Sequence, residues 1–297
     1  MQCLVLGAAA GGGFPQWNCG CRNCALARAG DARARPRTQA SVAVRGRGGQ
    51  WLIVGASPDM RAQILANPEL APPAGTRNSP LGAVVLVSAD VDGIAGLLTL
   101  REQHAFRLFA PAAILRVLEA NGVFASLDPT LVPRTELVPG VPVETGLDLG
   151  LTLLEMPGKT PLYQEAPGEA LAEAAPTYAA RLAGGGRVCV VAPGCARITD
   201  AVLEKLADAD VLFFDGTLFT ETEMIDAGLS WKTSARMGHV AVSGPEGSLA
   251  LLAGLRARKI YFHINNSNPM LLEDSPERAA VEAAGFAVSH DGMKVDA

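Results

Sequence analysis

The chain has 297 residues, 49% hydrophobic and 19% charged, and 25 Lys plus Arg stand against 30 Asp plus Glu for a net charge of −5. That is an ordinary globular composition with length for one large core, and it gives no electrostatic case for a nucleic-acid partner. No stretch reaches the roughly 18 to 20 uninterrupted apolar residues of a membrane span, so no membrane partner is expected either.

Cys3 to Leu6 reads as a short buried strand, and the start of the chain carries no basic n-region that would mark a signal peptide. Gly7 and Gly11 to Gly13 follow, and then Trp17-Asn18-Cys19-Gly20-Cys21-Arg22-Asn23-Cys24. Three of the six cysteines thus fall in a C-x-C-x-x-C pattern on a glycine-rich loop. Thiolates so close repel one another unless a cation holds them, and zinc is the usual one. The bland alternative is three reduced thiols. Cys3, Cys189 and Cys195 lie in or near apolar runs and read as buried free thiols. Together the cysteines point to a reducing cytoplasm. Arg33, Arg35 and Arg37 read equally as a solvated edge or a phosphate contact.

Ala40 to Val44 and Trp51 to Val54 are expected strands joined by a hairpin turn at Arg45 to Gly49. A short helix follows at Met60 to Ala66, with Asp59 near its start. Ala83 to Val87 is a continuous apolar run typical of a strand buried on both faces. Ser88-Ala89-Asp90-Val91-Asp92-Gly93 comes next, then a helix from Ile94 to about Glu102. Ala105 to Phe109 and Leu151 to Glu155 are strands flanking a helix at Ala112 to Ala120. The Gly- and Pro-rich stretch from about Ala166 to Gly186 is expected to contain a surface insertion. Val188 to Val191 is a strand ending at Pro193-Gly194-Cys195, and Thr199 is a natural N-cap for a helix to Ala207. Val211 to Phe214 delivers Asp215, and Lys259 to Phe262 delivers His263. Asp274 with Pro276 and Glu277 opens a last helix that Gly285 closes. Phe286 to Ser289 and Met293 to Val295 finish as strands. This loose alternation favours layered α/β architecture with mixed sheets. The polar groups cluster at strand carboxyl ends, where open α/β sheets keep their ligand sites.

Asp90, Asp92, Lys159, Asp215, His239 and His263 are those groups. Carboxylate and imidazole suit iron, zinc or manganese, and two histidines with a carboxylate suit non-haem Fe(II). Each has a bland reading. Asp92 caps a helix, Asp90 is solvated, His239 is a polar loop contact, and His263 is a hydrogen-bonded structural histidine. His104 and His290 are left as structural. Gly11 to Gly13 do not make a dinucleotide fingerprint, because Gln16 occupies the last glycine position. There is no phosphate-binding loop with G-K-[ST] and no G-x-S-x-G elbow.

Long segments carry a resemblance. "GAAAGGGFPQWNCGCRNC" (Gly7 to Cys24), "RPRTQAS" (Arg35 to Ser41), "ASPDMRAQI" (Ala56 to Ile64) and "AGLLTLRE" (Ala95 to Glu102) open it. "MPGKTPLY" (Met156 to Tyr163), "APGCA" (Ala192 to Ala196), "FFDGTLF" (Phe213 to Phe219), "RMGH" (Arg236 to His239), "HINNSNP" (His263 to Pro269) and "HDGM" (His290 to Met293) complete it. The chain resembles the coenzyme PQQ synthesis protein B family of the metallo-β-lactamase superfamily over essentially its whole length. The resemblance implies a single domain over residues 1–297 with a four-layer αβ/βα sandwich and mixed sheets. It implies a structural zinc at Cys19, Cys21 and Cys24, with Asn266 at the place where a phosphodiesterase branch carries a histidine ligand.

The superfamily's H-x-H-x-D-H motif reads Ser88 to Gly93 here. The family already lacks the first two histidines, and Gly93 departs from it at the last. The P-G-H ligand becomes Lys159 and the bridging aspartate becomes Cys195. At most one active-site metal is then implied, held by Asp90, Asp92 and His263, with Fe2+ as the ion. Asp92, His239 and Asp215 are the implied catalytic residues. Lys159, Arg236 and Arg101 are candidates to pair with substrate carboxylates. The implied activity is iron-dependent hydroxylation of the tyrosine ring of a glutamate–tyrosine precursor, in pyrroloquinoline quinone (PQQ) synthesis. The alternatives are a carrier for PQQ or an intermediate, and a metal-dependent hydrolase. The implied partner is a small peptide-derived precursor or PQQ, and a homodimer is left open.

Overall fold

The computed structural model describes residues 1–159 and 177–297. Among them, one seven-stranded sheet has the order β14-β1-β2-β3-β4-β5-β6. Its strands are β1 (Gln2–Gly7), β2 (Ser41–Arg45), β3 (Trp51–Val54), β4 (Leu81–Val85), β5 (Arg107–Pro111), β6 (Arg134–Leu137) and β14 (Lys294–Asp296). The other seven-stranded sheet has the order β13-β12-β11-β10-β9-β8-β7. It comprises β7 (Pro142–Glu144), β8 (Gly150–Met156), β9 (Thr177–Gly184), β10 (Arg187–Ala192), β11 (Val211–Asp215), β12 (Arg258–Phe262) and β13 (Phe286–Val288). Each sheet is antiparallel on one side and parallel on the other. The switch falls at β3–β4 in the first and at β10–β11 in the second.

Period-two alternation sorts the buried side chains into layers. Val5, Val42, Val44, Leu52 and Val85 of the first sheet face Leu151, Leu182, Val191, Phe213 and Phe262 of the second. Phe213 and Phe262 meet edge to face, with ring centroids 6.1 Å apart. Leu4, Leu6, Ile53 and Val84 point outward, onto Met60 of α2 (Met60–Ala66) and Ile114, Leu115 and Leu118 of α4 (Ala112–Ala120). Val190, Leu212, Phe214 and Tyr261 likewise meet Val202 and Leu206 of α5 (Asp200–Leu206) and Val281 of the last helix (Pro276–Ala283). The result is helix, sheet, sheet, helix, as the resemblance implied. Both faces of the central strands are covered, which is why they read as continuous apolar runs.

The hairpin at Arg45 to Gly49 is present, and Thr199 caps α5 through Val202 N. Several local readings need correction. Ile94 to Glu102 is not one α-helix. A short α3 (Val91–Ile94) gives way to a 3-10 segment at Ala95–Leu100. The segment packs closely on the preceding backbone at Gly96, whose N–H donates to Ala56 O at 2.8 Å and where a Cβ would lie 2.1 Å from Ser57 O. The last helix is capped by Ser275, whose hydroxyl accepts from Arg278 N, rather than by Asp274. Thr177 to Gly184 is no surface insertion but strand β9, paired on both edges with β8 and β10. Gly184 ends the strand, and Gly185 and Gly186 form the turn that leads into β10. The remainder of that reading, and the end of the Met156 to Tyr163 motif, lie outside the described residues.

Candidate active site and thiolate cluster

The parallel strands end together. After β4 comes the Ser88 to Gly93 turn, after β10 the Pro193 to Cys195 turn, and after β11 and β12 come Asp215 and His263. Residues of these turns, among them Asp92, Gly194, Thr217 and His263, line a cavity of about 300 Å³, with Asp215 buried behind its wall.

Asp215 is fully buried. Its Oδ2 lies 2.7 Å from His239 Nδ1 and accepts the Cys195 N–H at 3.1 Å. Its Oδ1 accepts from Thr217 N at 3.1 Å and Thr217 Oγ1 at 2.6 Å. Thr217 Oγ1 also lies 2.9 Å from His263 Nδ1. The rings of His239 and His263 stack with centroids 5.4 Å apart at 26°. His263 Nε2 stands 3.3 Å from Asp92 Oδ2. Asp92 and His263, 171 positions apart in sequence, therefore meet in space.

Burial alone would push the His263 imidazole down. The hydrogen bond and charge of Asp92, with Asp215 and Asp90 behind it, outweigh this and raise its pKa. Burial would likewise raise the Asp92 carboxyl, but His263 holds it below its ordinary value. The backbone at His263 is left-handed, with φ of 55°. Such a conformation costs on the order of 1 kcal/mol and persists where neighbours over-determine it. Here Ile264 N bonds to Ala8 O, Ala10 N to Ile264 O, and Asn265 N to Thr217 O.

Asp90 lines the same cavity, though its Oδ2 is turned to Ser88 Oγ at 2.7 Å. Neither Asp90 nor Asp92 caps α3 through its side chain. Gly93 also lines the cavity, and a Cβ there would lie 3.2 Å from Ser88 O. Lys159 borders the cavity beside Gly238, whose φ of 83° and lack of Cβ let the lysine stem pass. A Cβ on Gly238 would meet Lys159 Cγ at 2.7 Å. Arg236 does not line the cavity, and its guanidinium stacks 5.8 Å from the exposed Trp231 ring. Arg101 stands elsewhere. It lines a separate hollow with His104 and Asp128, bonds to Leu98 O and pairs with Glu102. A solvated loop arginine carries no sequence signal of its distance from a site.

The cavity also gains residues that sequence reasoning passed over. Thr217 sits two positions after Asp215 inside a quoted motif, and that spacing was its signal. Asn265 also lines it, two positions after His263 inside another quoted motif, whereas Lys232 lines it with no motif to mark it.

The sulfurs of Cys19, Cys21 and Cys24 lie within 4.8 Å of one another. Asn266 is buried over them, its Nδ2 placed 3.1, 3.6 and 3.4 Å from the Sγ of Cys19, Cys21 and Cys24. Amide nitrogen and oxygen are interchangeable in placement, so the same side chain turned over presents its oxygen to the sulfurs. Burial and the adjoining Cys21 and Cys19 sulfurs push the Cys24 thiol up to about 12. Hydrogen bonds from the Cys24 amide and the neighbouring groups draw Cys21 down against its own burial. Three such thiols ionise together only around a cation, so this donor set fits a tetrahedral zinc. Asn23, from α1 (Arg22–Arg28), donates to the carbonyls of Asn266, Ser267 and Asn268 at 3.2, 3.0 and 3.0 Å. The cysteine turn is thereby pinned to the loop that begins at His263.

A protein-family profile for the beta-lactamase superfamily domain matches residues 50–264. The chain is 50% identical over 295 residues to coenzyme PQQ synthesis protein B of Methylobacterium nodulans, covering 99% of each. It is 47% identical over 298 residues to the protein of that name from Methylorubrum extorquens, covering 100% of each. The crystal structure of Zn(2+)-bound PqqB from Methylobacterium extorquens superimposes with a TM-score of 0.96 at 46% identity, covering 100% of both chains. A diphosphatase of the PhnP family reaches 0.70 at 21% identity, covering 99% and 96%, which shows the fold alone. On full-length identity and fold together, the chain belongs to the coenzyme PQQ synthesis protein B family of the beta-lactamase superfamily.

Proposed function

We propose that the chain works in PQQ biosynthesis as an Fe(II)- and dioxygen-dependent hydroxylase of the tyrosine ring in a glutamate–tyrosine precursor. The observation that carries this is the facing pair Asp92 Oδ2 and His263 Nε2, 3.3 Å apart at the wall of the cavity. Two donors at that separation suit one cation with ligand bonds of about 2.0–2.2 Å. Asp92 and His263 would hold the iron, with Asp90 beside them, and the bound metal would supply dioxygen activation. Each hydroxylation puts one oxygen atom of O2 into a ring C–H bond and sends the other to water. It consumes two protons and two electrons from an external reductant.

The protein's own part is positioning and proton handling. His239, whose Nδ1 lies 2.7 Å from Asp215 Oδ2, would take or give a proton at its Nε2. Lys159 and Lys232 border the cavity and would meet substrate carboxylates. Cys19, Cys21 and Cys24, with Asn266, would hold zinc in a structural role, and the zinc carried by the extorquens relative supports that reading.

A second reading has its own support in Gly93, which brings no donor to a wall where the superfamily places a ligand. On that reading the cavity carries PQQ or an intermediate without chemistry. The test is anaerobic loading with Fe(II), followed by glutamyl-tyrosine, a reductant and dioxygen. Hydroxylated dipeptide supports the hydroxylase. Absence of product and of bound iron, with tight PQQ binding, supports the carrier, whereas zinc-dependent phosphodiester turnover would point to a hydrolase.

A further inference from the structure

A single hydroxyl sits at the centre of the cavity's polar network. Thr217 is buried, and its Oγ1 lies within 2.6 Å of Asp215 Oδ1, 2.9 Å of His263 Nδ1, 3.0 Å of His263 O and 3.1 Å of His239 Nδ1. A hydroxyl has one proton to give and two lone pairs with which to accept. The Asp215 carboxylate is the nearest acceptor, and hydrogen bonds to ionised groups are the stronger ones. With its proton committed there, Oγ1 can only accept from the ring nitrogen 2.9 Å away. That nitrogen must then carry hydrogen.

We propose that Thr217 is a positioning residue that sets the tautomer of His263. It takes the Nδ1–H and leaves Nε2 as the bare nitrogen facing Asp92. Asp215 does the same for His239 through its other oxygen at 2.7 Å. One carboxylate and one hydroxyl thus orient two stacked rings. The consequence at the far edge of His263 is direct. A bare Nε2 and a carboxylate oxygen 3.3 Å apart are both acceptors and repel until a proton or a cation lies between them. The arrangement therefore prepares the pair to receive a positive charge.

The inference concerns the imidazole and holds whichever reaction the cavity performs. Its test is long-range proton–nitrogen NMR on the full chain labelled with 15N-histidine, metal-free and in alkaline buffer where the ring is neutral. The chain has 4 histidines, and His263→Gln assigns the signal. The wild-type protein and Thr217→Ser should show His263 protonated at Nδ1. Thr217→Val, which keeps the shape and removes the hydroxyl, should shift it toward the Nε2–H form, with Thr217→Ala in its place if the valine variant does not fold. An Nε2–H tautomer in the wild-type protein overturns the proposal without any variant. So does a hydroxyl-free variant whose His263 signal matches wild type. A second readout is Fe(II) affinity, expected to fall about 10- to 100-fold in Thr217→Val and to return in Thr217→Ser. Failure of this readout alone, with the tautomer shift intact, would count against the iron reading and not against the role of Thr217.

Discussion

The thiolate cluster and the imidazole–carboxylate cavity share one loop but solve different problems. At the cluster, three donors come from a six-residue stretch and the fourth wall is a buried amide. At the cavity, Asp92 and His263 arrive from different sheets, and the ring network needs Asp215 and Thr217 as well. A local donor set is complete by itself and can be read as a closed structural site. A dispersed set depends on the whole fold to bring its members together. Asn23 joins the two, since it grips the carbonyls just beyond His263.

The largest expected effect lies at the cluster. Cys24→Ser should abolish zinc retention and cost roughly 4 kcal/mol or more, the range seen when a metal site is lost. Elemental analysis and thermal melting would check it, and an unchanged melt would remove the structural role. At the cavity, Asp92→Ala should lower Fe(II) affinity by more than about 100-fold while zinc content stays at wild-type level, because direct ligands matter more than their supports. If both metals fall together, the two regions are not separable. Gly93→His should raise Fe(II) retention about 10- to 100-fold, provided the chain yields a few tenths of an ångström near Ser88 O. No gain would mean that position 93 does not look onto the ion.

A smaller effect probes the loop between the regions. Glu223 accepts from Phe219 N at 2.6 Å and from Ser267 Oγ at 2.5 Å, and burial pushes its carboxyl up to about 7. The folded protein holds that proton more tightly than the unfolded chain, whose glutamates titrate near about 4.3. Its contribution is full below that value and fades as pH rises through about 7. The melting temperature should drop across this window, and Glu223→Gln should flatten the drop. The smallest effect is Arg101→Ala. Stability should move by no more than about 0.5 kcal/mol and turnover should not move at all, because the residue lines a separate hollow.

Much of this was legible beforehand, for physical reasons. Strands buried on both faces announce themselves as apolar runs, and so β4, β10, β11 and β12 were readable with the polar groups at their ends. The cysteine turn was readable because its donors are close in sequence. The meeting of Asp92 with His263 required the fold, and only their shared place at strand ends and the resemblance suggested it. Strand β9 was hidden by the glycine at its end and the two that follow it. Arg101 misled because loop arginines look alike whether or not they face a cavity. Thr217 was overlooked because a buried threonine is usually silent, and its hydroxyl gains meaning only beside two imidazoles and a carboxylate.

Anomalous scattering at the zinc and iron edges, on crystals loaded anaerobically with Fe(II), tests the central claim most directly. The account predicts a zinc peak enclosed by the sulfurs of Cys19, Cys21 and Cys24 and a separate iron peak in contact with Asp92 and His263. Iron among the sulfurs, or no metal between Asp92 and His263 in the loaded protein, would contradict it.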